Sequence, residues 1–356
     1  MMTVRYGAAL GLVLALSACG GSDTGGGSTT AVAVVTTPTA SPTPSAAPTP
    51  SPSPTPTPST TPAPSPTPTA PPTTWAAAAA ALYDVQPDAN GCRPGVLKAS
   101  VKADFLARLN AIRALHQLPA VTYSDADDAQ EADSSLMMAV NRQLSHTPPS
   151  TWTCYTATGS AAAGSSNLIG GWGTGLPFNS EDDYLGSWLT EIGSASIGHR
   201  RWILDPFLGK TSYGRVAVIM PDGSRASAAS MKVFNFTASP PLPTSVPAFV
   251  AYPFGDYPAR YFSTAAFLSF SVVAGKTGGF GANAGVGFAR ATITVTGPGG
   301  ALAVSDVSSD NDGYGVANNV QWHVAGLQAG TSYTVKITGV TGTAQPDYSY
   351  TFRIVG

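Results

Sequence analysis

The side chains that could do chemistry are few in this sequence, which has four histidines and three cysteines among 356 residues. His146 and His199 draw attention first, because imidazole is a general base and a common metal ligand near neutral pH. Their wide separation along the chain does not by itself bring them together. The sequence has no Gly-x-Ser-x-Gly, His-Glu-x-x-His or Ser-x-x-Lys with Lys-Thr-Gly, and no glycine-rich phosphate loop. Any function of these histidines therefore depends on the elements that position them.

Helical and hairpin patterns surround both histidines. Apolar residues at spacings of three and four predict a helix over about residues 100–116. A second helix is predicted over 124–144, where Asp127 completes a capping box and the acidic first turn complements the helix dipole. The acids at 181–183 open a third helix. Apolar alternation on both sides of a Pro-Asp-Gly turn at 221–223 predicts a hairpin.

The N-terminus has the features of an export signal. Arg5 precedes an apolar stretch, residues 8–16, that is too short to span a bilayer but suits a secretory signal. The following Leu-Ser-Ala-Cys, which ends at Cys19, resembles the bacterial lipobox. We therefore expect residues 1–18 to be removed and acylated Cys19 to hold the protein in a membrane. Gly20 after the cysteine resembles outer-membrane sorting. The alternative is an ordinary cleaved signal in which Cys19 is incidental.

Composition separates a spacer from the folded chain. Residues 19–74 are rich in Gly and Ser and then alternate Pro with Ser, Thr and Ala, which predicts a disordered stalk with polyproline II character. Only 11% of all residues are charged and the net charge is −2. The chain thus lacks the basic surface that nucleic-acid binding requires, and we expect no nucleic-acid partner.

The two remaining cysteines predict a disulfide. Cys92 and Cys154 make an even number in an exported chain, where thiols are oxidised in pairs. A bridge closing a loop of about 60 residues stabilises by roughly 4 kcal/mol in the chain-entropy account. A thiolate nucleophile or a metal ligand is the competing interpretation, but no Cys-x-x-Cys pair supports it.

Four motifs resemble one family. They are FLARLNAIRALHQLPAVTYSDADDAQEA from Phe105, SHT around His146, SSNLIGG from Ser165 and SIGHRRWILDP from Ser196. Together they resemble the CAP superfamily of cysteine-rich secretory, antigen 5 and pathogenesis-related proteins, in particular its bacterial SCP-like members. The resemblance implies an α-β-α sandwich over residues 75–243. It also implies a shallow cleft in which two histidines and two glutamates converge, and His146 and His199 match the histidines.

The acids match the family pattern less well. Ser166 stands where the family usually has the first glutamate of Gly-Glu-Asn, and Asn167 follows it. A serine side chain cannot serve as that base. Glu191 resembles the second glutamate, although Glu181 or Asp183 remains an alternative for the acid near the histidines.

Two functions follow from the resemblance. The favoured one is a lipid-anchored surface protein, more a binder than an enzyme, that takes a lipid, a cell-wall component or a protein in a cleft formed by His146, Ser166, Asn167, Glu191 and His199. The alternative is a metal-assisted hydrolase acting on peptides. In it, His146, His199, a carboxylate and a water would satisfy tetrahedral Zn²⁺, with Glu191 as candidate base. A third interpretation gives both histidines only local polar roles.

Charged residues outside the four matched positions receive structural roles. Arg200 and Arg201 are expected to flank a helix rather than to receive an anionic headgroup. His116 and His323 lie outside the matched positions and are expected to be packing or surface residues.

The C-terminal third predicts a separate β-rich domain. Over residues 247–356, short apolar-polar alternations recur between glycine-rich turns, which is typical of an immunoglobulin- or fibronectin-like antiparallel sandwich. The Asp-Asn-Asp-Gly at 310–313 is interpreted as a turn, because later positions lack the ligands of a calcium loop. We expect this accessory domain to bind or to space, not to catalyse.

Overall fold

A computed structural model describes residues 74–234, 241–279 and 281–356. These residues belong to a compact unit that spans Thr67–Gly356. The predicted signal peptide at 1–18, lipidated Cys19 and the stalk up to residue 73 lie outside the described residues. Among the described residues, no helix is long and apolar enough to cross a membrane.

Residues 74–234 combine six α-helices with seven strands. The helices are α1 (Trp75–Ala80), α2 (Ala99–Leu115), α3 (Asp128–Asn141), α4 (Ala157–Ala163), α5 (Glu181–Thr190) and α6 (Gly198–Ile203). The strands are β1 (Tyr83–Val85), β2 (Val96–Leu97), β3 (Thr122–Tyr123), β4 (Ser166–Gly173), β5 (Lys210–Thr211), β6 (Tyr213–Ile219) and β7 (Arg225–Lys232). The central sheet has the order β4-β7-β6 and is antiparallel, and β6 and β7 form the predicted hairpin.

This sheet is packed between two helical layers, because successive residues of its strands point to opposite faces and both faces contact helices. On β7, Ala226 and Ala228 pack with residues of α3 and α4, whereas Ala229 and Met231 pack with residues of α2 and α5. All residues of β7 except the terminal Arg225 and Lys232 are buried, and apart from Met231 these buried residues are small, alanine or serine. The predicted mixture of helices and sheet in this part is confirmed.

The second predicted helix differs from the structure at both ends. A 3₁₀ turn, Asp125–Asp127, precedes α3, and Ser124 makes no side-chain cap. Lys102 binds both Asp125 and Asp128, so two acids of the predicted first turn hold α2 against α3. The predicted capping-box acid, Asp127, accepts a hydrogen bond from the side chain of Gln130 instead. The helix ends at Asn141 because Arg142 takes the left-handed conformation.

The later part of the chain consists of two sheets. Its strands are β8 (Phe249–Tyr252), β9 (Gly255–Pro258), β10 (Leu268–Val272), β11 (Thr292–Gly297), β12 (Gly300–Leu302), β13 (Val304–Asp310), β14 (Asn319–Val324), β15 (Ser332–Thr338) and β16 (Tyr348–Val355). One sheet has the order β13-β14-β10-β8 and the other β12-β11-β15-β16-β9. Aromatic rings from both sheets meet between them: Phe270 of β10 lies 5.1 Å from Tyr348 and 6.1 Å from Tyr350 of β16. The predicted β-rich C-terminal region is confirmed.

Both parts contribute to one continuous hydrophobic cluster. At their contact His116, at the end of α2, is fully buried and its Nε2 lies 3.2 Å from the hydroxyl of Tyr257 on β9. Burial lowers the pKa of His116 to about 3. The expectation that His116 is a packing residue agrees with this position, and His323 lies on β14, stacked on Phe267.

The predicted disulfide is confirmed. Cys92 and Cys154 are bonded, with their Cα atoms 5.2 Å apart. The bridge ties the segment between β1 and β2 to the segment that leads into α4. It therefore closes a loop that contains α2 and α3, two of the helices that cover the sheet.

Candidate functional site

A cavity of about 360 Å³ lies where α6, the beginning of β4 and the turn after α5 meet. Its polar wall contains all five residues of the predicted cleft: His146, Ser166, Asn167, Glu191 and His199. The volume is within the range of about 300–1,000 Å³ that is usual for small-molecule sites. The two histidines, distant in the sequence, thus line one cavity.

Glu191 holds the second histidine and the beginning of α6. Its Oε1 accepts hydrogen bonds from the backbone N–H and the Nδ1–H of His199, at 3.2 and 2.8 Å, and its Oε2 accepts from the backbone N–H of Arg200 at 3.1 Å. The side chain is only 4% exposed. A left-handed backbone at Glu191, φ 45°, ends α5 and places the carboxylate against the next helix. Its main effect is to position His199.

His146 is held in the same manner by a neutral acceptor. Its Nδ1 donates to the carbonyl oxygen of Ala163, at the end of α4, over 2.8 Å. In both cavity histidines the recorded hydrogen bonds use Nδ1, and neither Nε2 has a hydrogen-bond partner among the described residues. Each ring therefore keeps one nitrogen for a ligand.

Ser166 connects the cavity to a buried acid that the sequence did not reveal. Its hydroxyl donates to Oε2 of Glu131 over 2.8 Å, and Ser230 of β7 donates to the same oxygen. Glu131 lies on α3 and is fully buried, and its Oε1 has no partner among the described residues. Burial raises the pKa of Glu131 to about 7, although the two hydroxyls oppose this. Asn167 donates from Nδ2 to the carbonyl oxygen of His199.

The other two candidate acids lie elsewhere. Glu181 binds Arg215 across 2.6 Å in the core beneath α5. Asp183 forms the capping box of α5 with Ser180. Of the three acids considered for the cleft, Glu191 is therefore the one that lines the cavity.

Three neighbouring aromatic residues also line the cavity and form what is here called its aromatic wall. It contains Trp202 of α6, Phe234 just after β7 and Tyr314 from the loop between β13 and β14. None of these three residues was predicted to line the cleft. Trp202 follows directly in the SIGHRRW motif, but nothing in the sequence places Tyr314 beside it. Arg200 and Arg201, by contrast, are buried and bound to protein groups, so neither offers its charge to an anionic headgroup.

The described residues do not provide a full set of metal ligands. Among residues 74–234, 241–279 and 281–356, no group of three or more His, Cys, Asp or Glu is placed to hold a metal ion. Glu191, the acid nearest His199, already accepts three N–H donors with its two oxygens. Two imidazoles then remain, fewer than the three protein ligands of a catalytic zinc site.

Comparison with known proteins agrees with the motif analysis. Residues 106–216 match the CAP family, described as the cysteine-rich secretory protein family, so the predicted CAP domain is confirmed for this segment. No curated protein matches the chain. A structural match is an outer surface protein from Borrelia burgdorferi, with 13% identity over 38% of this chain and 92% of that protein. Its TM-score is 0.25, and the match carries no argument about function.

Proposed function

We propose that this protein is exported and binds a ligand in the cavity between His146 and His199. The carrying observation is the lining of that cavity, which combines polar side chains with three aromatic residues. Such a combination of apolar area with a few fixed polar groups is characteristic of sites that bind a small molecule or one segment of a polymer. The candidate ligands are a cell-wall component, a lipid or a protein segment.

Binding is favoured over hydrolysis because neither of the two positions that hold a glutamate in the family offers a free carboxylate here. The place of the first family glutamate is taken by Ser166, whose hydroxyl is directed to buried Glu131. The second acid, Glu191, is occupied by N–H donors and positions His199 rather than a water. A general base must lie within hydrogen-bond reach of the proton that it removes.

The metal-assisted hydrolase stays the alternative. It is supported by one contact, the hydrogen bond from Nδ1 of His199 to Glu191, because a carboxylate on the far nitrogen is how proteins orient metal-binding imidazoles. Calorimetric titration with Zn²⁺, compared with His146→Ala/His199→Ala, tests it. Stoichiometric binding that the double variant loses would favour the hydrolase, and then peptide hydrolysis would have to depend on both histidines.

We further propose that acylated Cys19 anchors the protein in the cell envelope and that the proline-rich stalk holds the folded unit away from the membrane. The immunoglobulin- or fibronectin-like assignment of the later domain belongs to this proposal. It is supported by the two facing sheets, in which the parallel pairing of β9 with β16 is a departure from the predicted antiparallel arrangement. Mass spectrometry of the mature N-terminus tests the anchor, and an unmodified Cys19 would contradict it.

The binding proposal is tested with a defined panel of probes on the purified protein. The panel contains phosphatidylglycerol vesicles, soluble peptidoglycan fragments, and the neutral oligosaccharides chitotriose, cellotriose and maltotriose. We expect at least one probe to bind and His146→Ala/His199→Ala to weaken that binding about tenfold or more. A ligand that binds equally well to the double variant would place the site elsewhere.

A further inference from the structure

We infer that the later β-rich part supplies one wall of the binding site, through Tyr314, and that the site takes an uncharged saccharide. This inference rests on the proposed function, because it names the class of ligand for the same cavity. It differs from a spacer role for the β-rich part. Three sets of contacts carry it: those of Arg201, those of Arg200, and those of the aromatic rings.

The loop that carries Tyr314 is fixed to α6. Arg201 binds Asp310 at 2.7 Å, and its other terminal nitrogen donates to the carbonyl oxygens of Val316 and Ala317 at 3.2 and 3.3 Å. Gly315 has a positive φ of 59°, and a Cβ there would lie 2.2 Å from the carbonyl oxygen of Arg201. Only a glycine at position 315 therefore lets the loop approach α6 so closely. The contacts of Arg201 hold the loop on both sides of Tyr314.

The preceding arginine reinforces the same junction. Arg200 is fully buried and donates to the carbonyl oxygens of Leu189 and Phe267, and its guanidinium lies over the ring of Tyr252 at 3.8 Å. Guanidinium stacking on an aromatic face adds to these charge-assisted hydrogen bonds. Of three consecutive residues on α6, His199 lines the cavity while Arg200 and Arg201 bind the β-rich part. The motif thus couples the cavity to the second domain.

The aromatic wall has one ring, that of Tyr314, on which the inference depends. Trp202 lies beneath, 4.8 Å from Phe234 and edge-on to Tyr314 at 6.3 Å between ring centroids. Tyr314 is 45% exposed. The face of an aromatic ring is electronegative. It therefore attracts the polarised C–H groups on one face of a pyranose, whose hydroxyls are left for a polar wall.

The polar wall matches a neutral, hydroxyl-rich ligand. It offers two imidazole nitrogens, from His146 and His199, which are suited to sugar hydroxyls. No Lys or Arg lines the described cavity, so a phosphate or carboxylate would have no permanent cation to pair with. An acyl chain, on the other hand, would make no hydrogen bonds to the two histidines. A saccharide satisfies both walls at once.

The test compares two exposed aromatic residues in the intact protein. Calorimetry with chitotriose, cellotriose and maltotriose is performed on the wild type, Tyr314→Ala and the matched control Trp172→Ala, whose ring is 41% exposed but does not line the cavity. We expect one of these oligosaccharides to bind, Tyr314→Ala to weaken its binding about tenfold or more, and Trp172→Ala to leave it unchanged. An unchanged melting temperature for Tyr314→Ala shows that the loss is local.

The outcomes separate this inference from the proposed function. Binding of none of the three oligosaccharides overturns the inference, and so does equal binding by Tyr314→Ala. The proposed function then still stands if vesicles or peptidoglycan fragments bind in a way that His146→Ala/His199→Ala abolishes. Arg201→Ala is a second variant. It removes the contacts that hold the Tyr314 loop against α6, so it must also weaken saccharide binding if the position of Tyr314 matters.

Discussion

The buried carboxyl of Glu131 should give the protein a distinctive dependence of stability on pH. Its pKa is raised from 4.5 to about 7 by burial, with Lys232 opposing and Asp127 assisting the rise. The folded protein therefore retains a proton that the unfolded chain releases between these two values. A group whose native pKa is raised stabilises most at low pH, and this contribution is lost as the pH rises towards 7.

The magnitude follows from the two pKa values. With 4.5 in the unfolded chain and about 7 in the native protein, linkage makes the contribution of Glu131 to the unfolding free energy about 2 kcal/mol smaller at pH ~7.5 than at pH ~5. Glu131→Gln mimics the protonated carboxyl and can still accept from Ser166 and Ser230. The variant should lack this dependence while keeping the fold.

Urea denaturation at the two pH values measures the effect. Other titrating groups, His116 among them, contribute to both proteins and cancel when the variant is compared with the wild type. Asp104→Asn is the control, because Asp104 is an exposed carboxyl paired with Arg108 on the surface of α2. Parallel stability profiles for wild type and Glu131→Gln would refute the reasoning.

Three further outcomes are expected. Glu191→Ala should lower the unfolding free energy by about 1–3 kcal/mol, because three N–H donors lose their carboxylate acceptor. The variant should also bind ligand more weakly, because His199 is no longer held in place. An affinity equal to that of the wild type would show that His199 does not need this contact. Replacing Cys92 and Cys154 by Ala should cost about 4 kcal/mol in urea denaturation, and a loss below about 1 kcal/mol would contradict the loop-closure account. Burial lowers the pKa of His116 to about 3, so its contribution to the unfolding free energy is present above pH ~6.5 and is lost as the pH falls. His116→Asn should therefore make the unfolding free energy less dependent on pH in the acid range. An unchanged dependence would contradict the assignment of this loss to His116.

Much of the fold and part of the cavity could be predicted from the sequence. The apolar stripe of α2, the hairpin of β6 and β7 and the paired cysteines are local or compositional signals, and the structure agrees with them. The prediction that His146 and His199 lie together depended on the family resemblance. No pattern in a single sequence indicates how far apart two distant residues lie in the folded protein.

The features that the sequence argument missed depend on tertiary contacts. Glu131 is an ordinary residue of α3 by its pattern, and only the approach of β4 and β7 turns it into a buried acid bound by two serines. Asp125 was predicted to lie in the first turn of a helix, but it lies in a 3₁₀ turn and forms an ion pair with Lys102. Tyr314 joins the cavity because Arg201, on α6 in the first part of the chain, holds its loop, and no local propensity encodes this contact.

The most direct test of the central claim uses the four histidines as internal probes. Two of them, His146 and His199, line the cavity, whereas His116 is buried beneath the β-rich part and His323 stacks on Phe267. Imidazole NMR spectra are recorded while the tightest probe of the panel is added to the purified protein. The account predicts that the resonances of His146 and His199 shift together with saturation while the other two stay in place. Saturable binding that leaves both cavity histidines unshifted would contradict it.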